Sequence, residues 1–303
     1  MKKLPRPDFF DQKNASILQF YESHKKTLSD INSRKEFLES QTKIIQVKDL
    51  TKFYPVSKNF WGKTTAYLKA VDHLNFDIRK SETLGLVGES GCGKSTLSKA
   101  ILRLEDADSG DVLFKNQSLY SMEFSALRRI RKDIQYIFQD PFSSLNPRLT
   151  VGYAIQEPMK VHDIRKTKSE RKDRVIELLE LVGLEADHYK RYPHQFSGGQ
   201  RQRICIARAL GLEPSFIVCD EIVSALDVSV QAQILNLLID LRDQFDLSLL
   251  FVSHDLSIVK FISDRVLVMK DGKIVERGWA DEIYANPKHN YTQSLLEAIP
   301  GKR

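Results

Sequence analysis

The sequence predicts an α/β fold: a mixed, largely parallel sheet with antiparallel strands beside it and a helical subdomain inserted. Short apolar runs at Thr83–Val87, Ile134–Phe138, Phe216–Cys219, Ser248–Val252 and Arg265–Met269 alternate with stretches of helical length. That is the pattern of parallel strands joined by crossover helices. Between about 140 and 211 only helical stretches occur, which reads as an inserted helical block. Ahead of these lie Ile44–Val47 and Ala70–Ile78, the second alternating apolar and polar residues as a half-buried strand does.

Taken in order, residues 1–43 are polar and charged, with Ile17, Tyr21, Leu28, Ile31 and Leu38 recurring at steps of four and three, interrupted by His24 and Lys35. This predicts an amphipathic helical extension that stops near Ser40–Thr42. Its apolar stripe either packs on the domain surface or meets a partner subunit or membrane. The main domain is expected over 44–277, with residues 55–69 an irregular insertion, and a tail over 278–303. Helices are expected at Lys94–Arg103, Arg171–Val182, Gly199–Leu210, Val230–Arg242 and Tyr291–Ala298.

The chain has 303 residues, 42% hydrophobic and 28% charged, enough apolar content for a sizeable core. The net charge of +6 suits a polyanionic ligand or an anionic membrane surface, but it is too small and dispersed to point to nucleic acid. Cys92, Cys205 and Cys219 form an odd set without metal-ligand spacing, as expected of reduced thiols in a cytoplasm-like compartment. No apolar run approaches the roughly 20 residues of a membrane helix. Met1-Lys2-Lys3 is not followed by the apolar core of a signal peptide. A soluble protein able to dock on a membrane partner is expected.

Gly88-Glu89-Ser90-Gly91-Cys92-Gly93-Lys94-Ser95, followed by Thr96, matches G-x-x-x-x-G-K-[ST] in full, between an apolar strand and a helix. Glycines let the backbone curl so that successive N–H groups face phosphate, and the helix N-terminus adds partial positive charge. Lys94 would supply a point charge to the outer phosphates and Ser95 a hydroxyl to Mg²⁺. The motif alone says only nucleoside triphosphate. A second anion-facing helix start is read at Phe196-Ser197-Gly198-Gly199-Gln200, where Ser197 is the expected N-cap before Arg201–Leu210.

Ser197-Gly198-Gly199-Gln200-Arg201-Gln202-Arg203 downstream of such a loop resembles the signature of ATP-binding-cassette (ABC) ATPases. The resemblance covers about 44–300. It implies a P-loop NTPase with a RecA-like core, ATP and Mg²⁺ as ligands, and a site closed only when one subunit's signature caps the nucleotide of a second. Phe216–Glu221 resembles the family's Walker B strand, which makes Asp220 a Mg²⁺ ligand through water and Glu221 the group polarising the attacking water. Gln139 matches the Q-loop residue, also a Mg²⁺ ligand; His254 the switch histidine; Ser224–Asp227 the D-loop, with Asp227 at the dimer interface. Tyr54 matches the residue that stacks on adenine, with Phe53 beside it an alternative. One departure is Ile222, where the family commonly has proline; this puts the stiffness of that turn in doubt.

Gln139–Arg148 and Ser224–Leu235 look like the ATP-binding subunits of oligopeptide and dipeptide importers, a branch that also serves nickel and metallophore uptake. Asn286–Pro300 resembles that branch's C-terminal His-Pro-Tyr-Thr segment, with Asn290 in the proline's place. No cysteine follows Cys219, so no iron–sulfur cluster is expected. The chain most resembles the second ATPase of such importers. That implies a paralogous ATPase partner, two membrane permease subunits, an extracytoplasmic solute-binding protein and a place on the cytoplasmic face of the membrane. A homodimer, a nickel importer and a soluble non-transport ABC ATPase are the alternatives.

Overall fold

The computed structural model describes residues 28–58 and 64–298. They form two compact units, 28–123 with 248–298, and 124–247. The chain runs α1 (Leu28–Ser40), β1 (Lys43–Lys58), β2 (Thr64–Arg79), β3 (Thr83–Val87), α2 (Lys94–Ile101), β4 (Ser109–Phe114) and β5 (Gln117–Ser118). Next come α3 (Phe124–Ile130), β6 (Ile134–Ile137), α4 (Pro141–Ser144), α5 (Val151–Val161), α6 (Lys168–Leu181), α7 (Gly198–Leu210), β7 (Phe216–Asp220) and α8 (Val228–Phe245). Last are β8 (Ser248–Ser253), α9 (Leu256–Ile262), β9 (Arg265–Lys270), β10 (Lys273–Trp279), α10 (Ala280–Ala285) and α11 (Asn290–Glu297).

In the first unit, β1 pairs antiparallel with β2 and β4. Separately, β3 lies between β8 and β9, parallel to both, and β10 runs antiparallel to β9. Every residue of β3 and β8 is buried, so these strands read as continuous apolar runs. Their register pairs Val87 with Ser253, so the chain leaves both strands at one level, toward Gly88 on one and His254 on the other. That shared edge positions the site.

Two expectations are corrected here. Residues 55–58 and 64–69 are strand: β1 and β2 continue as a hairpin arm with pairs such as Tyr54 with Leu68 and Pro55 with Tyr67. The arm escapes a periodicity reading because Val56, Tyr67 and Leu68 are exposed, leaving no buried face to alternate against. Over the described residues, the N-terminal stripe also forms no continuous apolar face. Ile17 and Tyr21 lie outside the described residues, Leu28 is 80% exposed, and in α1 only Leu38 is buried. The helix is held instead by charge. Arg34 donates from Nε and Nη2 to the two carboxylate oxygens of Asp264, both at 2.9 Å, and Nη2 also reaches the Ser81 carbonyl at 2.6 Å.

In the second unit, β6 and β7 are parallel neighbours. Helices α5, α6 and α7 pack on one another, burying Ile155, Met159, Val175, Leu178, Leu179 and Ile204. Thr167 and Glu170 close a reciprocal capping box at the start of α6, satisfying N–H groups a helix start leaves open. The individual elements that periodicity missed are the 11-residue α5, inside the block read as helical, and shorter ones: α3, α4, α9 and α10, and strands β4, β5 and β10.

Candidate functional site

The phosphate loop leaves the buried strand β3 and enters α2 at Lys94. Gly93 is the helix N-cap with φ 109°, and no side chain caps the helix. The N-cap residue itself therefore adds no side-chain acceptor at this helix start, the end of a helix that receives an anion. Gly93 is required twice over: its φ is left-handed, and a Cβ there would lie 1.9 Å from the Ala70 carbonyl. Lys94 is 4% exposed, and its Nζ donates to the carbonyls of Gly88 at 2.8 Å and Glu89 at 2.9 Å. Gly93→Ala is accordingly expected to weaken ATP binding more than about tenfold, measured by titrating the purified chain. Wild-type affinity would show that the loop does not hold the nucleotide.

His254 follows β8 directly and is exposed. It is presented rigidly, because Asp255 next to it caps α9 through Oδ1, accepting Ser257 N–H at 2.7 Å and Ile258 N–H at 3.4 Å. Tyr54, on β1, donates its hydroxyl to Glu105, and the Lys52 ammonium lies 5.6 Å from its ring centre. Partial burial and then the Glu105 bond raise its pKa. Phe53 sits under Lys69 instead, at 5.4 Å.

In the second unit, the parallel pair β6 and β7 carries Gln139 and Glu221 off the same edge. Gln139 Nε2 donates to Glu221 Oε2 at 3.1 Å. Asp220, 5% exposed, accepts the Tyr136 hydroxyl at 2.5 Å. Burial and the adjacent Asp220 carboxylate push the Tyr136 pKa far up, so this hydroxyl stays a donor. Glu221 holds a left-handed φ of 48°, a conformation costly for a residue with a Cβ and commonly found at functional positions. The turn after it is stiff despite lacking proline. Ile222 and Val223 are 2% and 1% exposed, Ser224 Oγ donates to the Glu221 carbonyl at 2.9 Å, and Gln231 Nε2 to the Val223 carbonyl at 2.9 Å. Packing does what a fixed φ would have done.

At the signature, Ser197 accepts the Gln200 N–H at 3.3 Å while Gln200 Oε1 accepts the Ser197 N–H at 3.0 Å, a second capping box. A Cβ at Gly199 would strike Val230 at 2.4 Å, so that glycine serves internal packing. One at Gly198 would meet only Leu226 at 3.6 Å, ordinary contact. Nothing beside Gly198 in this chain demands a glycine there. Asp227 is the N-cap residue of α8 and is exposed.

The structure thus brings Gln139 together with Glu221, and sets Gly88–Thr96 and His254 on neighbouring strand ends. Sequence reasoning missed Tyr136, Glu105 and Tyr291, whose partners are remote in the chain. The donor chemistry fits Mg²⁺: the Ser95 hydroxyl, Asp220 carboxylate and Gln139 amide are hard oxygen ligands. Among the described residues Glu185, Asp187 and His188 also cluster. His188 Nδ1 there accepts the Glu185 N–H at 3.0 Å, which leaves the proton on Nε2, the nitrogen facing the carboxylates, and disfavours a metal. The three cysteines are free and buried, with burial raising Cys205 to about 11 and Cys219 to about 12.

Residues 71–224 match the ABC transporter family model. The chain is 52% identical over 259 residues to the oligopeptide transport ATP-binding protein OppF of Bacillus subtilis, covering 85% of this chain and 83% of that protein. It is 49% identical over 257 residues to the glutathione import ATP-binding protein GsiA of Pectobacterium atrosepticum, covering 85% of this chain but only 41% of that protein's length. Among solved structures, it resembles the ATP-binding cassette MJ0796, a dimer in a post-hydrolysis state bound to ADP and Pi. The TM-score is 0.69 at 29% identity, over 78% of this chain and 98% of that one.

Proposed function

This chain belongs to the ABC transporter family of ATP-binding subunits, and from that premise we propose that it powers import of oligopeptides or dipeptides through a membrane complex. It is an ATPase with the cassette fold. The observation that carries the catalytic assignment is the Gln139–Glu221 hydrogen bond at one end of paired parallel strands. Glu221 accepts a hydrogen bond from the attacking water and polarises it toward the γ-phosphate, while the Gln139 amide fixes the carboxylate's direction. Lys94 places its charge on the outer phosphates, Ser90, Gly91, Cys92, Gly93 and Thr96 complete the cradle with Gly88, His254 contacts the γ-phosphate, and Tyr54 stacks on adenine. Ser95, Gln139 and Asp220 would hold Mg²⁺, which would neutralise charge on the triphosphate.

Ser197, Gly198, Gly199, Gln200 and Asp227 act on the nucleotide of a second cassette, a paralogous ATPase subunit. The open approach to Gly198 supports this, since a bulky anion from another chain has room there. The oligopeptide and glutathione relatives support a short peptide as cargo. Two permease subunits hold the chain peripherally at the cytoplasmic face, and an extracytoplasmic binding protein delivers the peptide. Among the described residues no helix is long and apolar enough to cross a membrane. Purification of the complex through a tag on this chain tests the assembly. A second ATPase and two permease proteins are expected with it, and recovery of the chain without permease proteins from detergent-solubilised membranes would contradict it.

A further inference from the structure

We propose that Tyr291, in the C-terminal helix, is a positioning residue for the phosphate loop and sets the chain's affinity for ATP. The inference rests on the ATPase reading above. The Tyr291 hydroxyl accepts the backbone N–H of Glu89 at 3.0 Å. The other end of that same peptide unit, the Gly88 carbonyl, accepts Lys94 Nζ at 2.8 Å. A trans peptide points its C=O and N–H in opposite directions. The plane joining Gly88 to Glu89 is therefore held from two sides, by the lysine that meets phosphate and by a tyrosine of the tail, and it cannot rotate without breaking both bonds.

The tyrosine is itself well fixed. It is 8% exposed, and the Lys270 ammonium lies 4.8 Å from its ring centre. Its own N–H is accepted by His289 Nδ1 at 3.1 Å, and Glu276 accepts the N–H groups of Lys288 at 2.8 Å and His289 at 3.1 Å. Without the hydroxyl, a part-buried N–H loses its acceptor and the first turn of the loop gains alternative arrangements. ATP would then bind only the fraction of molecules in the competent arrangement, which lowers apparent affinity by that fraction.

The test is calorimetric titration of the full-length chain with ATP. Tyr291→Phe keeps the ring and its packing; its Kd for ATP is expected to rise about five- to tenfold. In a Glu89→Pro background no N–H remains to be orphaned, so adding Tyr291→Phe should move the Kd by less than about twofold. Lys94→Ala serves as the control for the loop itself. Wild-type affinity in Tyr291→Phe, with binding lost in Lys94→Ala, would overturn the positioning role. So would an undiminished five- to tenfold loss in the proline background, which would mark a packing effect. Wild-type affinity in Lys94→Ala would instead overturn the phosphate-loop assignment.

Discussion

Glu221→Gln, assembled with its partner subunits, is expected to hydrolyse ATP at least about a hundredfold more slowly than wild type while still binding ATP. The amide keeps the size of the side chain and can still receive the Gln139 donor, now 3.1 Å away. What it loses is the negative charge that polarises water. The left-handed φ of 48° at Glu221 and the buried Ile222 and Val223 fix the backbone independently of the carboxylate. The substitution therefore removes charge without freeing the turn. Steady-state turnover and equilibrium binding, measured on the same preparation, separate the two quantities. Turnover at the wild-type rate would remove Glu221 from the chemistry.

Arg34→Ala should produce a large loss of stability for a single change outside the nucleotide site. Asp264 has a side chain only 2% exposed, and its carboxylate takes both Arg34 bonds as well as the Thr83 N–H at 2.9 Å. Removing Arg34 takes both charged donors from a buried carboxylate that keeps the neutral Thr83 N–H. Breaking a buried pair typically costs about 3–5 kcal/mol, and the lower end applies because water reaches the 23% exposed Arg34. A fall in Tm of roughly 6–10 °C follows for a chain of this size. Deletion of residues 1–40, which removes Arg34, should do the same. The double change Arg34→Met with Asp264→Asn should recover more than half, since asparagine still accepts the Thr83 N–H without a charge to compensate. Equal stability of Arg34→Ala and wild type would mean that α1 is not a structural clasp.

The parts of the fold legible in the sequence are those with uniform surroundings. Strands β3, β7 and β8 are buried along their whole length and leave unbroken apolar runs such as Thr83–Val87 and Phe216–Cys219. The phosphate loop and the signature are legible because each is local: backbone conformation, helix start and charged residue lie within one short stretch. The hairpin arm was not, since its exposed side chains carry no period. The clasp of α1 was not, since an ion pair between Arg34 and Asp264 spans 230 positions and has no spacing to detect. Tyr136 and Tyr291 escape for the same reason, being 84 and 202 positions from Asp220 and Glu89. The missing proline at 222 looked like a weakness, but burial, which a sequence pattern does not display at a turn, replaces it. At Asn290 the loss of proline costs little too, because the position is the first of α11, where a missing N–H would have been harmless and a present one is tolerated.

The most direct test is uptake into proteoliposomes carrying the purified complex and its binding protein, with ATP enclosed on the side of this chain. Labelled oligopeptide should accumulate with the wild-type chain and fail to accumulate with Glu221→Gln. Peptide accumulation at the wild-type rate in Glu221→Gln, or ATP-driven uptake of Ni²⁺ with none of peptide, would contradict a peptide importer powered by this subunit.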